Sequence, residues 1–164
     1  MSAELRNAER GLTFVELMAC AGILLILASA ILPLAKVSHT RRKEIELRRA
    51  LREMRTAIDG YHAAVAQGLI GGSDVKLGSD GYPPDLETLI KGVNQVGAVN
   101  KKLKFLRRIP RDPFASEEDD PDEQWGMRCY QDDPDDTSWC GQNVWDVYSL
   151  SQGKALDGTM YKDW

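Results

Sequence analysis

Catalytic motifs are what this sequence lacks first. Its 164 residues contain no GxSxG, no P-loop and no HExxH. Two histidines, His39 and His62, leave a hydrolytic triad few possible bases. His62 follows Tyr61 in a helical stretch and reads as a packed or half-exposed helix residue, while His39 has no evident partner. The three cysteines form no CxxC pair and have no neighbouring histidine, which argues against zinc. Aspartates are plentiful but sit in turn-rich, solvated stretches, with no burial to raise a carboxyl pKa for acid–base work. These absences point away from an enzyme.

One-signed charge is missing as well. The net charge of −4 argues against a nucleic-acid partner, although the average hides an asymmetry. Eight Lys/Arg lie between Lys36 and Arg55, against Glu44, Glu46 and Glu53. Acids dominate from Asp112 to Asp136, in "SEEDDPDE" and "QDDPDD". Such a basic stem and acidic head attract each other between neighbouring copies, or are simply two solvated surfaces.

Charge is wholly absent from Leu17 to Ala35. As a helix that run measures about 28 Å, near the hydrocarbon thickness of a bilayer. Glu16 stands at its edge, where insertion scales put the cost of a charge at about 2.5–3.5 kcal/mol for a central position. A cleaved secretory signal has a candidate site at Ala28-Ser29-Ala30, but the apolar run continues to Ala35. A lipoprotein signal has Leu17-Met18-Ala19-Cys20, but that cysteine begins the run instead of ending it.

A third reading puts the recognition site before the run. Arg10-Gly11 followed by Leu12-Thr13-Phe14-Val15-Glu16-Leu17 resembles the prepilin signal of the type IV pilin and pseudopilin superfamily. The resemblance implies cleavage after Gly11 by a prepilin peptidase and N-methylation of Leu12. It gives Glu16 the role of an assembly contact, pairing with the Leu12 ammonium of a neighbouring copy. It also implies that the apolar segment is the membrane half of a long N-terminal helix, bent near Pro33. Leu12 stands where Phe is commonest in the family. Positive-inside counting points the other way, since Lys36, Arg41, Arg42 and Lys43 follow the span while Arg6 and Arg10 are offset by acids.

Beyond the span, Leu47, Leu51, Met54, Ile58, Tyr61 and Val65 recur at helical spacing, with Arg48, Arg49, Arg52 and Arg55 on the opposite face. Helix is predicted from Leu12 to Gln67, ended by Gly68, Gly71 and Gly72. "GYPPDLETLIKG" predicts a short helix ending at Gly92, and "IPRDPF" an extended segment. "QWGMRCYQ" and "QNVWDVYSL" read as two strands joined by a turn-rich connection, and the tail as a short third strand or an ordered loop.

The expected class is α+β, a pilin-like fold in which a long bent helix packs on a small C-terminal antiparallel sheet. The expected divisions are leader 1–11, membrane and assembly half 12–35, amphipathic half 36–67 and periplasmic head 68–164. Tyr82-Pro83, "IPRDPF", "DVYSL" and the ending Asp163-Trp164 resemble the major pseudopilin of type II secretion, with departures in an acidic insertion after Phe114 and a cysteine-bearing hairpin. That resemblance implies an inner-membrane protein with a periplasmic head, polymerising with itself. Its other partners would be minor pseudopilins and an assembly platform with a cytoplasmic ATPase. It also implies calcium in the C-terminal loop, for which Asp157, Asp163 and the carbonyls of Leu150 and Ser151 are the matching donors. The alternative for those acids is a turn at Asp157-Gly158 and a surface carboxylate. An extracytoplasmic head permits a disulfide between Cys129 and Cys140. Two other readings stay open: a type IV or minor pilin for adhesion, motility or DNA uptake, and a membrane-anchored binding module.

Overall fold

The computed structural model describes residues 13–71, 75–98, 101–133 and 135–164, with the side chains of 30–34 also outside the description. Its elements are α1 (Phe14–Ala66), α2 (Leu86–Lys91), β1 (Val93–Asn94), β2 (Lys102–Leu103), β3 (Trp125–Arg128) and β4 (Asp146–Ser149), then a short 3-10 helix, Tyr161–Asp163. The class is α+β, with a long N-terminal helix and a small two-stranded antiparallel sheet near the C-terminus. The chain divides into two compact units, Met1–His39 and Thr40–Trp164.

In the first unit, Thr13 starts the helix. Its hydroxyl accepts from the Glu16 amide at 3.3 Å, and its carbonyl accepts from Leu17 at 3.1 Å. Thr13-x-x-Glu16 is the capping-box pattern, and Glu16 is the acid of the first turn, where the helix dipole favours a negative charge. Farther on, the Ser29 hydroxyl donates back to the Ile26 carbonyl at 2.7 Å. Helix assignment continues through position 33.

The second unit is built on the stripe read from the sequence. Leu47, Leu51, Met54, Ile58 and Tyr61 are buried, and Val65 packs partly buried at the edge. Ala50, Ala57 and Ala64 widen the stripe with small side chains, so that other elements approach closely. The core on this face is completed by Leu89, Leu106, Trp125, Val144, Val147 and Tyr161. Each such side chain contributes about 1.5–3 kcal/mol by leaving water.

Helix α1 ends in a Schellman motif. Gly68 has φ +70°, its amide donates to Val65, and the Leu69 amide donates to Ala64 at 2.9 Å. Asp85 caps α2, its carboxylate accepting from the Thr88 amide at 2.7 Å. The Leu89 carbonyl then accepts from the amides of both Phe105 and Leu106.

Strands β3 and β4 pair antiparallel from Trp125↔Ser149 to Arg128↔Asp146. They are shorter than the two stretches read from the sequence. Strands β1 and β2 form a separate antiparallel pair, Val93↔Leu103 and Asn94↔Lys102, which the sequence reading missed. The tail adds no third strand to the β3–β4 sheet. It makes one bridge with itself, Lys154↔Met160, before the 3-10 turn.

"IPRDPF" carries no regular structure and serves as a polar knot. Buried Asp112 accepts from the Phe114 amide at 2.8 Å and from the Ser149 hydroxyl. Its own amide donates to Gln124 Oε1 at 3.0 Å. Trp125 Nε1 donates to the Pro110 carbonyl at 2.9 Å.

Arg55 departs from its expected place on a solvated face. Its guanidinium binds both carboxylate oxygens of Asp146, at 2.6 and 3.2 Å, and donates to the carbonyls of Val147 and Trp164. Arg128 approaches the same carboxylate at 3.6 Å. One long side chain thus ties α1 to β4 and to the tail.

Candidate functional site

The first candidate surface is the apolar stretch of α1 in the first unit, exposed all round the helix. Phe14, Val15, Leu17, Met18 and Ile23–Leu27 are each 59–78% exposed. Glu16 and Cys20 are exposed among them. A monomer rarely leaves so many large apolar side chains in water, and patches of this kind mark contact with protein or membrane. Among the described residues no helix is long and apolar enough to cross a membrane. The apolar run read from the sequence also includes Ala30–Leu34, whose side chains, Pro33 among them, lie outside the description. Gly11 and Leu12, the expected cleavage and methylation residues, lie outside the described residues too.

The second candidate is the β3–β4 connection. Cys129 and Cys140 are joined by a disulfide, with Cys129 buried and Cys140 exposed. Buried Asn143 organises the chain around it. Its side-chain oxygen accepts from the Tyr130 amide at 2.9 Å, its amide donates to Gln131 at 3.1 Å, and its carbonyl accepts from Trp139 Nε1 at 2.7 Å. Asp132 lies with the two cysteines in a cluster of metal-ligand type. Both sulfurs are spent on the disulfide, and Asp132 Oδ2 accepts from the Cys129 amide at 2.7 Å, so the group is a loop staple.

Closing a loop of this sequence separation, 11, is worth about 3 kcal/mol in the chain-entropy account. The Cys129→Ser/Cys140→Ser double variant is therefore expected to lose about that much stability in urea unfolding. Wild-type protein unfolded with reductant present should match the variant, and a double variant as stable as oxidised wild type would contradict the account.

The third candidate is the C-terminal loop. Asp157 Oδ1 accepts from both the amide and the hydroxyl of Thr159, at 3.0 and 2.6 Å. Its Oδ2 faces Arg48 at 3.5 Å. The two Thr159 hydrogen bonds, with Arg48 beyond them, hold the Asp157 carboxyl below its ordinary range. Gln152 Nε2 donates to the Leu150 carbonyl at 3.4 Å, and the Ser151 hydroxyl accepts from the Gly153 amide at 3.3 Å. Asp163 is exposed within the 3-10 turn. Calcium takes about six to eight oxygens. As arranged, these donors do not fit it, because Asp157 is engaged by Thr159 and a guanidinium faces its second oxygen.

Side chains of α1 hold the loop instead. Glu44 Oε1 accepts from the Leu156 amide at 2.7 Å and lies 3.3 Å from the Tyr161 hydroxyl. Burial first, and then the Glu44 charge, push the Tyr161 phenol up. Arg48 lies over the Trp164 ring at 4.0 Å, and Tyr161 stacks on Phe114 at 4.0 Å.

The two histidines take bland places. His39 is exposed, and His62 is half-buried and stacked on Tyr82 at 4.4 Å. Residues that sequence reading missed are Glu44, Arg48 and Arg55 as anchors of the tail, and Asn143 as organiser of the disulfide loop. The partners of Glu44, Arg48 and Arg55 lie 91 to 117 residues away, so no local pattern reveals them, whereas those of Asn143 lie 4 to 13 residues away within its own loop.

No protein-family model, curated protein or solved structure matches this chain.

Proposed function

We propose that this protein is a structural subunit of a type II secretion pseudopilus, cut after Gly11, methylated at Leu12 and polymerised into a periplasmic filament that drives protein export. The exposed apolar stretch of α1 from Phe14 to Leu27 carries this reading, because the lone chain leaves it uncovered. A bilayer before assembly, and the helices of neighbouring copies after it, would cover that stretch.

Glu16 supports the reading in two ways. As the first-turn acid it suits the helix N-terminus within its own chain. In a filament the new Leu12 amine, protonated near neutral pH with a pKa of about 7.7–8.0, would compensate its charge from another copy. The motor would be a separate cytoplasmic ATPase reached through the inner-membrane platform.

Mass spectrometry of the mature N-terminal peptide tests the class directly. N-methylated Leu12 is the expected result, and a chain retaining residues 1–11 would sink the proposal. Glu16→Ala is expected to abolish polymer formation while leaving the unfolding midpoint of the Thr40–Trp164 unit unchanged. Variant subunits that enter filaments as efficiently as wild type would remove the assembly role.

The Cys129–Cys140 disulfide favours a second reading, a type IV or minor pilin at the cell surface. Deleting the protein distinguishes the two: loss of exoprotein release marks the pseudopilus, and loss of surface pili marks the pilin.

A further inference from the structure

The β3–β4 connection has a second chemistry that its disulfide conceals. In the oxidised chain Cys129 and Cys140 are bonded to each other. Their sulfurs and a carboxylate oxygen of Asp132 are ligand atoms of metal type, all within 4.8 Å of one another. Cys129-x-x-Asp132 has the spacing of a CxxC pair, with a carboxylate as its second member.

Hydrogen bonds that do not involve the S–S bond hold the loop in place. Arg128 Nε donates to the Asp136 carbonyl at 3.1 Å, and Trp139 Nε1 to the Asn143 carbonyl at 2.7 Å. The Tyr130 amide donates to Asn143 Oδ1 at 2.9 Å, and Asn143 Nδ2 to Gln131 Oε1 at 3.1 Å. These ties join the Cys129 end of the loop to the Cys140 end, so the two sulfurs stay neighbours when the bond between them is broken.

The ligand atoms are also oriented from outside. The Cys129 amide donates to Asp132 Oδ2 at 2.7 Å, which fixes the carboxylate and leaves Oδ1 without a hydrogen bond among the described residues. The Gln142 amide points at Cys140 Sγ from 3.4 Å, a contact that favours a thiolate over a thiol. Outer hydrogen bonds of this kind orient the ligands of metal sites. No cation pairs with Asp132 among the described residues. The Asn143 carbonyl lies 3.2 Å from Cys129 Sγ but already accepts from Trp139.

Zinc binds cysteine sulfur at about 2.3 Å and carboxylate oxygen at about 2.0–2.2 Å, so ligand atoms on a tetrahedral ion lie about 3.5–3.8 Å apart. Closing to that spacing from 4.8 Å asks for a shift of about 1 Å, within reach of side-chain rotation. Cys140 is exposed, which gives both a reductant and an ion a way in.

We propose that the reduced β3–β4 loop binds one zinc-class divalent ion through Cys129 Sγ, Cys140 Sγ and Asp132, with water in the fourth position. A dithiol breaks the S–S bond, yields two protein thiols and itself ends as a disulfide. The ion then displaces two protons as both sulfurs coordinate as thiolates. Disulfide and ion exclude each other, because they use the same sulfurs. The site goes beyond the filament role and stands independently of it.

Cobalt(II) titration of the full Cys20→Ser chain in detergent tests the site. The reductant is a phosphine, which with water converts the disulfide to two thiols and ends as the phosphine oxide. Reduced protein is expected to bind one cobalt per chain with a sulfur-to-cobalt charge-transfer band, and oxidised protein none. Asp132→Asn, which leaves the disulfide able to form, should weaken binding by about tenfold or more. Zinc should raise the unfolding midpoint of reduced protein and leave that of oxidised protein unchanged.

Reduced protein that binds no cobalt would overturn the proposal, as would equal binding before and after reduction. One ion per two chains would mean a bridge between copies, and unchanged affinity in Asp132→Asn would remove the carboxylate. Either result ends the three-ligand site.

Discussion

Tyr61→Ala is expected to destabilise the Thr40–Trp164 unit by about 4 kcal/mol. The ring is fully buried on the inner face of α1 and meets Phe105 edge-on, with centroids 5.5 Å apart. Truncation removes the apolar area of the ring, the aromatic contact and the support of Phe105 together. The site cannot readily collapse to fill the space, because Ile58 and Leu89 of the same cluster are themselves fully buried. Urea unfolding followed by tryptophan fluorescence would read the loss as a lower midpoint at unchanged slope. Val65→Ala, at the partly buried end of the same stripe, should cost less than half as much. Equal losses at the two positions would mean that the stripe contributes through helix propensity and not through packing.

Gly92→Ala is expected to cost about 3 kcal/mol, although it adds one methyl group. Gly92 ends α2 at φ +74°, and it adjoins β1, which runs beside β2. A Cβ there would sit 2.6 Å from the Leu103 carbonyl oxygen and 2.8 Å from Lys104 Cγ. The oxygen is backbone, so relief requires β2 to move away from β1. Gly158→Ala is the control, because φ is +90° there with nothing within 4 Å of the new carbon. It should show the conformational part alone, about 1 kcal/mol. A Gly92→Ala variant no less stable than Gly158→Ala would show that β1 and β2 yield freely.

These two positions also mark what could be read in advance. Tyr61 belongs to a stripe whose 3.6-residue period encodes burial along a single helix, and Leu47 to Ile58 follow the same rule. The Leu86–Lys91 helix was legible from Asp85 and Gly92, because caps act within four residues of themselves. Strands β1 and β2 were not, since two residues each leave no alternation to detect. Arg55 could not be told from Arg49 or Arg52 beside it, because what separates them is Asp146, 91 residues on. Asp112 resembled any acid in a proline-flanked turn until Ser149 met it. Thr13-x-x-Glu16 was readable as a capping box, yet the apolar surroundings of Glu16 drew the reading to its charge. The assembly role of Glu16 rests on sequence resemblance, while its place in the first helical turn is local chemistry.

The tail gives the molecule an order in time. Glu44 meets Leu156 and Tyr161 across 112 and 117 residues, and Arg55 meets Trp164 across 109. Loops of that size close slowly, and their closure entropy is offset only when many contacts form at once. Because synthesis runs from the N-terminus, Glu44, Arg48 and Arg55 are made long before the residues that bind them. For that interval α1 offers three unanswered charges beside an unfinished core. Docking of Tyr161 and Trp164 ends it, so these long-range contacts form together with the core and not ahead of it.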